Sequence, residues 1–343
     1  MRDIHDVLDV ITLKQEQVSV LATIIDVKGS AYKKEGAMML FTEDGSQVGM
    51  LSAGCLEEDL AARIELQNYQ VKTEVITYDM RNADEWSWGE GSGCNGVITI
   101  LIEPVTPNMR YHFLELNSVL QEGSAVTMFK SIPSDANFHD AVIFQGETGH
   151  VFGDSSEELK NEFAQYIKQS NQKGNGIKKS GYYVHHFQPK PRLIIYGAGR
   201  DAEPLVEFAS KTGFAVTVAD WRPARCKKQV FPTAERIILG FPEEVMEAID
   251  INENDFVILM SHSFRKDKEI IQQLFEKRLR YFGILGSVKR TKRLFAGKEI
   301  PSTITSPIGL SIEAEGPEEI AISVVAELVK LVKKPLDKKV RAS

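Results

Sequence analysis

The sequence has only three cysteines in 343 residues, Cys55, Cys94 and Cys226. They are too few and too far apart for a disulfide framework, and none has the short paired spacing of a structural zinc site. No run of about 18 apolar residues exists, so no membrane span is expected. The first residues, MRDIHDVLDV, carry acids where a secretory leader carries a basic end and an apolar core. A reduced, cytoplasmic protein is the expectation. A basic excess is missing too. The net charge is −7, which argues against a general nucleic-acid binder. There is no repeat of fixed period and no Ser/His/Asp or Cys/His catalytic signature, although His262 would be the base of a Cys/His site. His185 and His186 are adjacent on an expected strand and would point to opposite faces, so zinc is set aside.

What is present is ordinary globular material, 43% hydrophobic and 26% charged. The length suggests two domains or three. Ile4, Val7, Leu8 and Ile11 recur at helical spacing behind Asp3, an N-cap residue type. VSVLATIIDV (18–27) reads as a buried strand, and Asp44-Gly45 marks a hairpin. A helix over AGCLEEDLAARIELQ and strands at 74–80 and 97–104 complete an α+β module. Residues 105–153 read as a helix and two strands, and 154–169 as a helix. The polar stretch 168–181 lacks period and reads as a linker. From Leu193 onward strands alternate with helices, which implies a doubly wound parallel sheet. The expected division is 1–180 for the N-terminal α+β domain with its linker, and 181–343 for a Rossmann-like domain.

RLIIYGAGRDAEPLVEFA places Gly197, Gly199 and Ala202 between an apolar strand and a helix, the dinucleotide fingerprint in its proper context. Gly197 would permit the tight turn, and Gly199 the approach of a phosphate to a helix N-terminus. Asp220 ends the next strand, where a carboxylate can accept from a ribose hydroxyl. The bland alternative is a tight β–α turn without ligand. No residue obviously supplies hydride chemistry.

Cys55 sits at a turn entering a helix, where the dipole favours thiolate, while Glu57 and Glu58 oppose it. Glu57 would tune Cys55 or pair with a surface base. Cys94 lies in GEGSGCNG, where Gly93 and its neighbouring glycines let backbone pass close to a bulky ligand. Each is a functional thiol or a small buried filler; Cys226 reads as filler. Trp86 and Trp88 would rim a ligand or partner, or simply share one strand face.

Together, GSAYKKEGAMML, GMLSAGCLEEDL, GEGSGCNGVITILIEP, LIIYGAGRDAEPLVEFASKTGFAVTVADWRP, LMSHSFRKDKEI, YFGILGSVKR and the block opening SPIGL resemble the XdhC/CoxI family of xanthine dehydrogenase accessory proteins. Asn95 departs from the family's more usual glycine after the cysteine, and Arg200 from its frequent histidine. The resemblance implies a non-catalytic role. Such a protein binds molybdenum cofactor (molybdopterin), protects it and helps insert the sulfurated form into a xanthine dehydrogenase-type molybdenum hydroxylase. In that family a cysteine desulfurase supplies the sulfur. Cys55 and Cys94 occupy the two cysteine motifs and would contact molybdenum. Gly197, Gly199 and the following helix start would hold the cofactor's phosphate or a nucleotide. His262 would lie at the carboxyl edge of the sheet, with Gly283, Gly286 and the Ser306-Pro307-Ile308-Gly309 loop facing the same cleft. Asp267 would cap its helix or line that cleft. A chain that shields a labile cargo also fits a homodimer. Two other readings remain: an NAD(P)-dependent oxidoreductase, resting on the fingerprint and Asp220, and a thiol redox sensor pairing Cys55 with Cys94.

Overall fold

The apolar run at 18–27 builds β1 (Ser19–Gly29), the central strand of the first of three sheets in a computed structural model. The structure describes residues 2–14, 16–52, 54–81, 96–133, 140–169, 174–178, 181–297 and 299–333. α1 (Arg2–Leu13) precedes β1 and buries Val7, Leu8 and Ile11 on one face, as their spacing requires. β2 (Met38–Thr42) and β3 (Gln47–Gly49) form the expected hairpin, and Asp44 Oδ1 accepts from Thr42 Oγ1 at 2.6 Å inside its turn. α2 (Cys55–Leu66), β4 (Glu74–Asp79) and β5 (Gly96–Pro104) follow. The sheet is antiparallel in the order β3-β2-β1-β5-β4.

α3 (Pro107–Gln121) starts at Thr106, whose hydroxyl accepts from the Met109 N–H at 3.1 Å, with Pro107 at the first helical position. The second sheet contains β6 (Val126–Lys130), β7 (Val142–Gly146) and β8 (Val151–Phe152). After α4 (Glu157–Gln169) it gains β9 (Gly176–Ile177) and β10 (Tyr183–Phe187). It too is antiparallel, ordered β8-β7-β6-β10-β9. Leu21, Leu40 and Leu101 of the first sheet share one core with Met128, Phe144 and Tyr183 of the second, joined by α1 and α3. Leu56, Leu60 and Ile64 of α2 cover the other face of the first sheet, and Leu159 and Phe163 of α4 the other face of the second.

Two expectations change here. Residues 168–181 are not simply a linker, because Gly176–Ile177 pairs with β10. Asn175 Oδ1 accepts from the His186 N–H at 2.8 Å, and Asn175 Nδ2 donates to the Glu35 carbonyl at 3.2 Å. An edge strand of two residues has no apolar period to reveal it. The compact units are Asp3–Pro189 and Lys190 onward, so the division falls after Pro189 rather than after residue 180. The reason is Tyr183–Phe187, which pairs with β6 through its whole length.

The second unit is β11 (Arg192–Tyr196), α5 (Ala202–Lys211), β12 (Ala215–Asp220), β13 (Arg236–Leu239) and α6 (Pro242–Ala248), then β14 (Phe256–Leu259), α7 (Phe264–Leu274), β15 (Tyr281–Ile284), α8 (Val288–Leu294) and α9 (Pro317–Lys333). Its sheet is parallel, ordered β13-β12-β11-β14-β15, the doubly wound arrangement expected from the sequence. Leu193 and Ile195 face α5 and α9, while Ile194 and Tyr196 face the opposite core with α6 and α7. The order reverses between β11 and β14, where open sheets of this kind form a ligand crevice at the carboxyl ends of the strands. Among the described residues, no helix is long and apolar enough to cross a membrane.

Candidate functional site

The turn after β11 and the segment after β14 form the two walls of that crevice. Gly197 has φ +124°, and a Cβ there would fall 2.5 Å from the Met260 carbonyl, so glycine is required for the two strand ends to pass. The Gly197 N–H donates to the Ala219 carbonyl at 2.8 Å. A Cβ on Gly199 would meet Asp201 Oδ1 at 2.2 Å. The Asp201 carboxylate therefore lies over the position where a fingerprint turn receives a phosphate. Arg200 beside it is exposed.

His262 follows β14 with φ +57°, in the left-handed region. Its ring is 63% exposed, and Nε2 lies 2.7 Å from Asp201 Oδ2. Next to it the network turns inward. Ser261 Oγ donates to Asp267 Oδ1, and Arg290 Nη2 of α8 donates to Asp267 Oδ2 at 2.6 Å. Asp267 is fully buried. It does not cap α7; Ser263 is the cap, accepting from the Lys266 N–H.

Asp220 ends β12 as expected, but it is not a free ribose acceptor. Oδ2 accepts from the Ala198 N–H at 2.8 Å and from Arg222 Nη2 at 2.6 Å. Oδ1 accepts from the Arg222 N–H and Nε, each at 2.8 Å. Four donors saturate the carboxylate. Burial pushes its pKa up, but the Arg222 and Ala198 hydrogen bonds outweigh burial and hold it below the usual Asp value.

The remaining expected residues divide between the crevice rim and the core. Gly286 has φ +128° at the β15–α8 turn, and a Cβ there meets only the flexible Arg290 side chain, at 3.2 Å. Gly283 lies within β15, where a Cβ would meet Ile308 Cγ2 at 2.5 Å, so it serves packing. Ser306 Oγ is 2.6 Å from Thr291 Oγ1, tying its loop to α8, and the Ser306–Pro307 peptide is cis. Pro307 is exposed, while Ile308 is buried in the core beneath α9. The Gly309 N–H donates to Glu327 Oε2 at 2.8 Å, and a Cβ on Gly309 would collide with Ser323. Cys226 is a half-buried free thiol whose pKa burial raises.

In the first unit, Cys55 is the opening residue of α2. Glu57 does not pair with a surface base. It is buried, and Oε1 accepts from the Leu51 and Ser52 N–H groups at 3.0 and 2.6 Å. Oε2 accepts from Ser52 Oγ and from the Gly54 N–H. Burial raises its pKa, yet the Ser52 and backbone hydrogen bonds prevail and lower it. Gly93, Cys94, Asn95, Trp86 and Trp88 lie outside the described residues. Among the described residues, no group of three or more His, Cys, Asp or Glu could hold a metal ion.

Three family models match along the chain. Residues 12–79 match XdhC and CoxI family, 107–188 match BH1974-like, central domain, and 193–328 match XdhC Rossmann domain. A probable xanthine dehydrogenase subunit of Bacillus subtilis (strain 168) is 41% identical over 334 residues, covering 97% of this chain and 99% of that one. The chain belongs to the XdhC and CoxI family. The resemblance read from the sequence is thereby confirmed. A crystal structure of a xanthine dehydrogenase from Bacillus halodurans has 42% identity and a TM-score of 0.85, covering 98% of each chain. The molybdenum cofactor insertion chaperone PaoD of Escherichia coli (strain K12) is 23% identical over 325 residues, 90% of this chain and 82% of that one.

Sequence reading missed Asp201, Arg222 and the Ser261–Asp267–Arg290 network. The signal for Asp201 was its place at the start of a helix, two residues after the second glycine of the fingerprint. Nothing local pairs it with a histidine 61 positions away.

Proposed function

We propose that this XdhC-family chain binds molybdenum cofactor as cargo, protects it and assists insertion of its sulfurated form into a xanthine dehydrogenase-type molybdenum hydroxylase. A cysteine desulfurase would supply the sulfur, and the setting is the reducing cytoplasm, where thiols stay free. The observation that carries this reading is the alignment with a molybdenum cofactor insertion chaperone over 90% of the chain, which includes both the cysteine-bearing half and the Rossmann half. The crevice supports it by weakening the oxidoreductase alternative. Its ribose carboxylate, Asp220, is saturated, and Asp201 sets a negative charge over the phosphate turn. Soft sulfur is the natural donor toward molybdenum, and Cys55, the opening residue of α2, is the first thiol of the proposal. Cys94 is the second thiol of the proposal.

The test is anaerobic titration of the full chain with isolated molybdenum cofactor, with NAD(H) and NADP(H) as competitors. Metal is then measured after gel filtration. Stoichiometric molybdenum in the wild type, reduced in Cys55→Ser and Cys94→Ser, is expected. Tight nucleotide binding with no retained molybdenum would overturn the proposal.

A further inference from the structure

Charge on the surface of the second unit is sorted into two blocks. α8 reads VKRTKRL, four bases and no acid. The segment 310–319 reads LSIEAEGPEE, four acids and no base. The whole chain is acidic, with a net charge of −7, so the basic helix is a local departure from composition.

Neither block is neutralised within the unit. Arg290 is engaged, since its guanidinium donates to the buried Asp267 at 2.6 Å. Glu269 on the neighbouring α7 is taken by Arg265 and Lys266, at 2.9 and 3.1 Å. Among the described residues, Lys289, Lys292 and Arg293 form no ion pair, and neither do Glu313, Glu315 and Glu318. Lys289 stands three and four positions before Lys292 and Arg293, so the three cations share one helix face, where like charges repel. Thr291 and Leu294 are the buried side of α8, and the cations are exposed. Glu319 Oε2 accepts from the Glu315 N–H at 2.7 Å, which fixes the turn into α9 and leaves the other three carboxylates to solvent. Apolar side chains stand exposed beside both blocks: Phe264 and Val288 by the bases, Leu310 and Ile312 by the acids. The Arg293 guanidinium lies over the Phe264 ring, 5.6 Å from its centre. Aromatic rings and arginine are what protein–protein interfaces concentrate.

The fold sets both blocks at one edge of the parallel sheet. β15 is the last strand in the order. Beyond it the Thr305 N–H donates to the Phe282 carbonyl at 2.8 Å, and the Thr305 carbonyl accepts from the Ile284 N–H at 3.0 Å. The chain thus runs beside β15 while it crosses the edge. Ile304 is buried in the core that holds Leu294 of α8, and Ile308 in the opposite core beneath α9. α8 therefore flanks one side of this edge, and 310–319 leaves from the other. A twofold axis beside the edge sets the helix of each copy against the acidic segment of the other, twice over. Nucleic acid and anionic membrane fit less well, since three cations neutralise few phosphates and the acidic block repels both. We propose that this edge is an interface between two copies of the chain, in which α8 of one copy faces residues 310–319 of the other and the exposed apolar side chains close over the contact. The inference goes beyond the cargo proposal and does not depend on it, because it rests on the surface of the second unit alone.

Analytical ultracentrifugation of the full chain tests it. At about 100 µM protein and about 50 mM salt a dimer is expected, and about 0.5 M salt should weaken association at least tenfold by screening exposed charge. Lys289→Glu/Lys292→Glu and Glu313→Lys/Glu315→Lys each set like charges across both halves of the contact, and each variant should be monomeric at low salt. Mixed in equal amounts, the two variants should associate again. The reversed helix of one then meets the reversed segment of the other, while the unaltered helix and segment keep their attraction. Misfolded chains could not produce that recovery. Four results would each overturn the proposal: a wild type that is monomeric at low salt, a dimer indifferent to salt, a variant that dimerises like the wild type, or a mixture that stays monomeric.

Discussion

His262 Nε2 lies 2.7 Å from Asp201 Oδ2, and the pair bridges the two strand ends at which the parallel sheet reverses its order. A Cβ on Gly199 would meet both side chains, Asp201 Oδ1 at 2.2 Å and His262 Cδ2 at 3.8 Å. The glycine that would let a phosphate approach is thus covered by a carboxylate that repels one. Fold and fingerprint agree with a dinucleotide site, while the side chains above the fingerprint do not.

Asp201→Asn should therefore open the turn to anions. Pyrophosphate or ADP is expected to bind the variant about five- to tenfold tighter, roughly 1 kcal/mol, since the group is partly solvated and the effect is screened. Titration at low salt reads this directly. Equal affinity in the two proteins would mean that the carboxylate does not guard the turn.

Asp220 makes a pH prediction. Its folded pKa is lowered, net of burial, by the Arg222 and Ala198 hydrogen bonds. A depressed acid contributes stability that is complete above its unfolded value, near 3.9, and is lost as pH falls through the lower folded value. Asp220→Asn is expected to cost about 2 kcal/mol at pH 7 by leaving Arg222 and the Ala198 N–H poorly matched. The gap in melting temperature between variant and wild type should narrow below about pH 4. A gap that stays constant into that acid range would assign the loss to packing instead of charge.

The sequence carried the parallel sheet clearly. Runs such as LIIY and FVILM are apolar throughout because both faces of those strands are covered, and Gly197 punctuates the end of the first. It carried the second antiparallel sheet less well. β8 and β9 have two residues each, too short for any period to register, and residues 174–178 looked like solvent-exposed chain. The XdhC relationship was legible because motifs in order are local facts. Asp201 beside His262, or Glu103 beside Lys130, is a relationship across the fold that spacing cannot encode. One hint is available: Glu103 and Lys130 are the single charges in two mostly apolar strands, where an unpaired charge would be costly.

Gly197 separates packing from ligand binding. Gly197→Ala sets a methyl group about where the Met260 carbonyl and Ser261 nitrogen lie, 2.5 and 2.6 Å away, at φ +124°. Backbone cannot yield as a flexible side chain does, so a loss of about 3 kcal/mol or more is expected. Gly286→Ala, at φ +128°, meets only Arg290 and should cost less. Urea unfolding of the two variants ranks them. The reverse order would show that the strand ends are looser than their contact implies.

The Glu103–Lys130 pair joins β5 to β6 and is a charged link between the two sheets. Burial raises the Glu103 pKa, and the attraction of Lys130 acts against it. Desolvation would lower Lys130, but Glu103 and then Asp140 prevail and raise it. Removing one partner strands the other. Lys130→Met is expected to destabilise the first unit by about 3–5 kcal/mol, because Glu103 is left without its cation. Glu103→Leu alone should cost less, since Lys130 retains Asp140 at 2.7 Å. The double variant Glu103→Leu/Lys130→Met should recover much of the loss of the lysine variant, as apolar replacement of a buried pair commonly does. A double-mutant cycle by chemical denaturation decides the matter. Additive losses would show that the two charges are held independently, and that the sheets are joined by their shared apolar core alone.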